Sequence, residues 1–165
     1  MNNAARFEGA PALSATKEAL ESVFAASLFS ALYMIQETYP HMSNGGRIVN
    51  IGSIASKLAI PIMPLYATVK AALDTLTFSI AEELGRRGKN ITVNVVSPGP
   101  VATEMMSEGG EQIDELAKWM VSATRLEGRV GNVEDIADAV LLVVSEKARW
   151  ITGQHISASG GITGN

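Results

Sequence analysis

The order of periodic segments constrains the fold of this chain more than any other feature. A long helical pattern is followed by a short segment rich in β-branched residues, and this pair of patterns occurs three times along the 165 residues. Such alternation is typical of parallel strands joined by helices that cover both faces of the sheet. The sequence therefore predicts a single α/β domain with a doubly wound parallel sheet.

Helical periodicity predicts three principal helices and a shorter fourth one. Ser14 is expected to cap the first helix and Asn132 the last, because each polar side chain precedes a run with apolar residues at helical spacing. The expected ranges are Ser14–Tyr39, Leu65–Arg87, a helix near Gln112–Ala123 within the otherwise irregular segment 104–131, and a helix that begins after Asn132.

Three short segments have the β-branched composition of buried strands. They are Arg47–Ile51, Ile91–Val96 and Gln154–Ser157. In parallel sheets covered by helices, ligands bind at the carboxyl ends of the strands. The residues directly after the first two strands, Gly52-Ser53 and Ser97 to Thr103, are therefore the first candidates for a functional site.

The composition excludes several classes of protein. Apolar residues make up 47% of the chain, which is enough for a core, and the net charge of −4 argues against a nucleic-acid surface. The absence of cysteine excludes disulfides and thiolate chemistry, and the two isolated histidines give no reason to expect a metal site. Uninterrupted apolar runs such as Ala139–Val144 are too short to cross a bilayer, and no signal-peptide pattern is present. We expect a cytoplasmic enzyme or binding domain without a membrane partner.

Three side chains near the predicted strand ends are suited to proton transfer. Ser53 follows the first strand, and Tyr66 and Lys70 lie one helical turn apart on the same face of the next helix. A phenol has a pKa of about 10, which a nearby ammonium is expected to lower. A Tyr-x-x-x-Lys spacing by itself is more often a surface contact. Its position at a helix start after a strand that ends in serine favours a site that moves a proton on and off a substrate oxygen.

Four successive segments carry a resemblance to a known family. They are Asn50-Ile-Gly-Ser53, Tyr66-Ala-Thr-Val-Lys70, the stretch from Asn94 to Thr103 with its Pro98-Gly99 turn, and Gly153-Gln154 through Gly160-Gly161. In order and spacing they resemble successive motifs of the short-chain dehydrogenase/reductase family, and together they span nearly the whole chain.

The resemblance implies a Rossmann-like fold and an NAD(P)-dependent oxidoreductase that interconverts a small-molecule alcohol and a carbonyl. Tyr66 would be the general acid/base, Lys70 would modify its pKa and bind the nicotinamide ribose, and Ser53 would donate to the substrate oxygen. The cofactor, NAD or NADP, would contact Tyr66 and Lys70 and the residues Asn3, Pro98, Gly99, Val101 and Thr103.

The chain departs from the family's pattern at two places that bear on function. Asn2-Asn3-Ala4-Ala5 resembles the motif that ends the family's fourth strand, and no glycine-rich phosphate loop occurs in the 165 residues. We therefore expect residues 1–165 to form an N-terminally incomplete domain with a partial Rossmann-like sheet, which alone binds NAD or NADP poorly. Ser27 stands where the family usually has an asparagine of a proton relay, so it is a fourth catalytic candidate, with a plain helix residue as the equal alternative.

Two further interpretations stay open. The first two long helices resemble the pair that forms the family's main interface, which implies a homodimer or homotetramer. The alternative to an enzyme is a catalytically inactive, truncated domain that acts as a binding or oligomerisation partner. The missing phosphate loop favours that alternative, whereas the intact Ser53, Tyr66 and Lys70 oppose it. A third possibility is an incomplete gene product.

Overall fold

A three-stranded parallel sheet forms the centre of the computed structural model, which describes residues 1–107 and 110–163. The strands are β1, Arg47–Ile51; β2, Thr92–Pro98; and β3, His155–Ala158, and they lie in the order β1-β2-β3. The predicted parallel sheet is confirmed, with β1 at its predicted bounds and with ends of β2 and β3 that differ from the expected ones by one or two residues.

The N-terminal segment adds one more position to the sheet. The Asn2 N–H donates to the Val49 carbonyl at 2.8 Å, and the Ile51 N–H donates to the Asn2 carbonyl at 2.9 Å. Asn2 therefore lies parallel to β1 on the edge away from β2. Its side-chain amide also donates to Asn50 Oδ1 at 2.8 Å. This position agrees with the expectation that residues 2–5 belong to a strand end.

Six α-helices are present in the described residues, and the long predicted ones are confirmed. The N-terminus of the last helix is as expected, because the Asn132 N–H donates to the Asp135 carboxylate at 2.7 Å. The segment 104–131 contains more helix than the sequence predicted. The helices are α1, Lys17–Phe24; α2, Ser30–Thr38; α3, Pro64–Arg86; α4, Glu104–Ser107; α5, Gly110–Ala123; and α6, Val133–Val144.

The first predicted helix differs from expectation at its start and in its middle. Thr16 is the N-cap, because its side-chain oxygen accepts a hydrogen bond from the Ala19 N–H at 3.1 Å. Ser14, the predicted cap, lies in a short 3-10 turn and donates to the Pro11 carbonyl instead. Between α1 and α2 the chain forms a π-helical segment, Ala25–Phe29. Such segments are rare and occur frequently near functional sites.

The helices cover opposite faces of the sheet, as a doubly wound fold requires. Ile48 of β1 belongs to a core cluster with Ile35 of α2 and Ile80 of α3. The next residue, Val49, points to the other face and packs in a cluster with Val143 of α6. The chain passes from β1 through α3 to β2, and from β2 through α6 to β3, so each connection moves one strand further in the same direction. Because α3 and α6 lie on opposite faces, these two crossover connections have opposite hands, and one of them departs from the usual right-handed connection.

The helical stretch Lys17–His41 is long and apolar enough, by length and composition alone, to cross a membrane. The sequence expectation, which considered only uninterrupted apolar runs, did not anticipate this. Core helices meet the same criterion, and this stretch buries Val23, Ala31 and Ile35 within the domain. That packing accounts for part of its apolar composition, and Phe29, Tyr33 and Met34 stay exposed.

Candidate active site

Ser53, Tyr66 and Lys70 meet at the carboxyl edge of the sheet. Ser53 directly follows Gly52 at the end of β1, and its hydroxyl accepts a hydrogen bond from the Ala55 N–H at 3.1 Å, which fixes the start of a 3-10 turn. The same hydroxyl is hydrogen-bonded to the Tyr66 phenol. Because α3 begins at Pro64, Tyr66 and Lys70 lie in its first two turns, with Lys70 Nζ 5.5 Å from the centroid of the Tyr66 ring.

Lys70 is a buried cation bound to the end of β1. Its side chain is 2% exposed, and Nζ donates to the Ile51 carbonyl at 2.7 Å. Burial lowers the pKa of Lys70 to about 8, and the Asp74 carboxylate acts in the opposite direction. An ammonium has three N–H donors. One is used by Ile51, so the group retains donors for a ligand in front of it.

The pKa of Tyr66 moves in the direction opposite to the sequence expectation. Burial raises the pKa of the phenol above its usual value, and the hydrogen bond with Ser53 offsets only part of that rise. The expected lowering by Lys70 is wrong for this structure, because loss of solvation of the phenolate is the dominant effect. Tyr66 is therefore protonated at neutral pH, which suits it to donate a proton.

The three side chains border a cleft with a volume of about 720 Å³. Every residue predicted to bind the cofactor lines the same cleft, although these residues come from distant parts of the sequence. They are Asn3, Tyr66, Lys70, Pro98, Gly99, Val101 and Thr103. Their convergence follows from the parallel sheet, which brings the carboxyl ends of its strands to one edge.

The loop after β2 is held in place by backbone pairing and by close packing. The Gly131 N–H donates to the Pro100 carbonyl at 2.8 Å, and the Ala102 N–H donates to the Gly131 carbonyl at 3.0 Å. A Cβ atom on Gly99 would lie 2.8 Å from Ser159 Cα. Glycine at this position therefore lets the β2 loop pass closely over the residues that follow β3.

Ser27 does not join this group. It is 1% exposed, lies in the π-helical segment, and accepts a hydrogen bond from the Arg6 N–H at 3.1 Å. It is not among the residues that line the cleft. Its hydroxyl therefore anchors the N-terminal segment to the helix behind it, and its predicted place in a proton relay stays a prediction.

A buried polar cluster behind Lys70 was not predicted. Asp74, one turn further along α3, accepts a hydrogen bond from Ser56 Oγ at 2.8 Å and pairs with Lys57 at 3.2 Å. Nε2 of His155 lies 3.7 Å from the same carboxylate, and burial lowers the pKa of this histidine. The sequence spacing does indicate that Asp74 is close to Lys70, because it lies four residues later and therefore on the same helix face. The carboxylate links the turn that follows Ser53 to the helix that carries Lys70.

Comparison with known proteins places the chain in a family. Residues 1–163 match the family model described as enoyl-(acyl carrier protein) reductase. An uncharacterised oxidoreductase of Methylorubrum extorquens is 36% identical over 162 residues, a match that covers 98% of this chain and 64% of the relative. L-2,3-butanediol dehydrogenase of Corynebacterium glutamicum is 33% identical over 176 residues, covering 100% of this chain and 67% of that protein.

Solved structures have the same arrangement of strands and helices. The angucycline C-6 ketoreductase LanV, with bound NADP, is similar with a TM-score of 0.87 and 32% identity, over 98% of this chain and 60% of that one. The chain thus spans between 60% and 67% of the length of these three proteins. The family model matches nearly every residue, and the fold agrees with that of solved members. The chain belongs to the short-chain dehydrogenase/reductase family.

Proposed function

We propose that this chain is an NAD(P)-dependent oxidoreductase that interconverts an alcohol and a carbonyl, with Ser53, Tyr66 and Lys70 as its catalytic residues. The observation that carries the proposal is that these side chains and the expected cofactor-binding residues border one cleft. Membership of the family supports oxidoreductase chemistry. The NADP bound to the similar angucycline C-6 ketoreductase supports a nicotinamide cofactor.

The cleft offers groups that fit the nicotinamide end of NAD or NADP. The Lys70 ammonium is already fixed by the Ile51 carbonyl and has donors left for ribose hydroxyls. Val101 and Pro98 supply apolar contacts for a flat ring, and the Thr103 hydroxyl is exposed at the cleft. When bound, the cofactor supplies or accepts the hydride. The residues of the chain hold the ring and the ribose against the substrate.

The chain's own chemistry is proton transfer at the substrate oxygen. In carbonyl reduction, Tyr66 donates its phenolic proton to that oxygen, and Ser53 donates a hydrogen bond that orients it. The raised pKa of Tyr66 keeps the proton in place throughout the neutral range. Alcohol oxidation requires the phenolate, so its rate should rise with pH above the neutral range.

Replacement of Tyr66 tests this assignment. Tyr66→Phe keeps the ring and its packing but removes the proton, so the rate of ketone reduction with NADH or NADPH should fall by about 10²- to 10⁴-fold. Tyr33→Phe is the matched control, because Tyr33 is 61% exposed on α2 and should keep the parent rate. Initial rates are followed by the absorbance of the reduced nicotinamide. A Tyr66→Phe variant as fast as the parent would show that another group is the acid.

The second candidate function is a catalytically inactive domain that acts as a binding or oligomerisation partner. Large apolar side chains exposed on α2 and α3 favour a partner, with Tyr33 at 61% and Phe78 at 64% exposure.

We propose a homodimer or homotetramer that covers these helices, which is compatible with either function. Sedimentation velocity at micromolar concentration should show a dimer or larger species. A monomer that persists over the whole concentration range would contradict this assembly.

A further inference from the structure

The walls of the cleft differ sharply in polarity. Among the described lining residues, Lys70 is the one with a charged side chain, and the other polar ones are Asn3, Ser53, Tyr66 and Thr103. All of these belong to the proposed catalytic and cofactor-binding groups. The remaining side chains are apolar, and those on the flanks of Tyr66 and on α4 and α5 are Phe7, Ile60, Met63, Met106, Leu116 and Met120.

An aromatic ring stands directly beside the proposed proton donor. The Phe7 and Tyr66 rings meet edge to face, with centroids 5.9 Å apart and planes inclined by 79°. Met63, the residue before the first turn of α3, and Met120 of α5 also border this space. Thioether side chains adapt their shape to a ligand and make favourable contacts with aromatic rings. This wall is therefore suited to a bulky apolar or aromatic group.

We propose that the substrate is an uncharged ketone, or the matching secondary alcohol, with a bulky aromatic body and with the reacting oxygen as its polar group at Tyr66. The proposal rests on the proposed function for the role of that oxygen. A carboxylate placed against the wall formed by Phe7, Met63 and Met120 would lose its hydration without gaining a counter-charge from the side chains of that wall. Lys70 carries the one charged side chain of the described lining, and its remaining donors are assigned to the cofactor ribose.

Methionine methyl groups report binding in this cleft without any turnover. In the full chain labelled with ¹³C at the methionine methyls, Met63, Met106 and Met120 face the cleft. Met34 is exposed on α2 and Met42 packs against the core, so their signals serve as internal controls. Each signal is assigned by a single Met→Leu substitution. The probes are 2-acetylnaphthalene and the same ketone with a carboxylate at the far end of the ring system.

The neutral ketone should shift the signals of the cleft methionines and leave the controls unchanged, and the carboxylate analogue should bind at least about tenfold more weakly. Phe7→Ala should weaken binding of the neutral ketone, whereas Trp150→Ala, a change at a ring that is 95% exposed and lies outside the cleft lining, should not. Equal affinity for the two ketones, or shifts confined to Met34 and Met42, would overturn the inference.

The same titration separates this inference from the proposed function. Binding of the neutral ketone in the cleft without any hydride transfer would support the substrate class and contradict the oxidoreductase. Turnover of the carboxylate analogue as efficiently as the neutral ketone would support the oxidoreductase and contradict the substrate class.

Discussion

Lys70 shows how a single residue links stability to chemistry in this site. Its ammonium is almost completely buried, and burial lowers its pKa from 10.5 to about 8 although Asp74 favours the charged form. That difference corresponds to a cost of about 3 kcal/mol for keeping the protonated lysine in the fold. The cost is fully present below about pH 8, where folded and unfolded chains both hold the proton. It disappears as the pH rises from about 8 to 10.5, because the folded chain releases the proton first.

A Lys70→Met variant should therefore differ from the parent in a pH-dependent way. The free energy of unfolding of the parent minus that of the variant should increase by about 3 kcal/mol as the pH rises from about 8 to 10.5. Asp74→Asn, which removes the carboxylate that favours the ammonium, should move the start of this rise to lower pH. Urea denaturation at a series of pH values measures both effects. A difference that stays flat with pH would show that Lys70 keeps its ordinary pKa.

For single residues, the sequence predicted which side chains meet at the site better than it predicted their burial, their pKa and their contacts. Ser53, Tyr66 and Lys70 were predictable, because motif order and helical spacing place them together, and the structure brings them to one cleft. The raised pKa of Tyr66 was not predictable, because it depends on burial created by distant parts of the chain, including Phe7. The contact of Ser27 with the N-terminal segment is equally invisible in a helical pattern.

Among the secondary-structure elements, the first helix shows how closely a sequence can predict where a helix begins. Ser14 and Thr16 are both good cap residues, and the choice between them depends on local backbone geometry. Thr16 has extended backbone angles and bonds the Ala19 N–H, whereas Ser14 is held in the preceding turn. The π-helical segment and the opposite hands of the two crossovers have no counterpart in the sequence pattern, because periodicity reports which residues are buried and not how helices connect.

The two cap candidates provide a paired test. Thr16→Ala removes the side-chain acceptor at the start of α1 and should lower the free energy of unfolding by about 1 kcal/mol. Ser14→Ala removes an exposed bond to the Pro11 carbonyl and should change it by less than about 0.5 kcal/mol. Chemical denaturation of the parent and both variants gives the comparison. A larger loss in Ser14→Ala than in Thr16→Ala would place the helix start where the sequence predicted it.

For the whole molecule, function depends on how distant segments meet at one edge of the sheet. The N-terminal segment, the β1 end with α3, and the loop after β2 each contribute side chains to the same cleft. The sequence predicted this convergence because parallel strands place their carboxyl ends together. It could not predict the apolar wall, since Phe7 and Met106 belong to segments without a periodic pattern, and the periodicity of the helix that carries Met120 does not say what that helix packs against.

Hydride transfer is the most direct test of the central claim, that this cleft joins a nicotinamide cofactor to a carbonyl substrate. The chain is incubated with a neutral aromatic ketone and with NADH or NADPH in which both hydrogens at C4 of the nicotinamide are replaced by deuterium, at millimolar cofactor so that weak affinity does not limit the reaction. Mass spectrometry and NMR then locate the label in the product. The account predicts deuterium on the carbinol carbon of the alcohol, in one configuration. Unlabelled alcohol, or no alcohol at any cofactor concentration, would contradict it and favour the catalytically inactive binding domain.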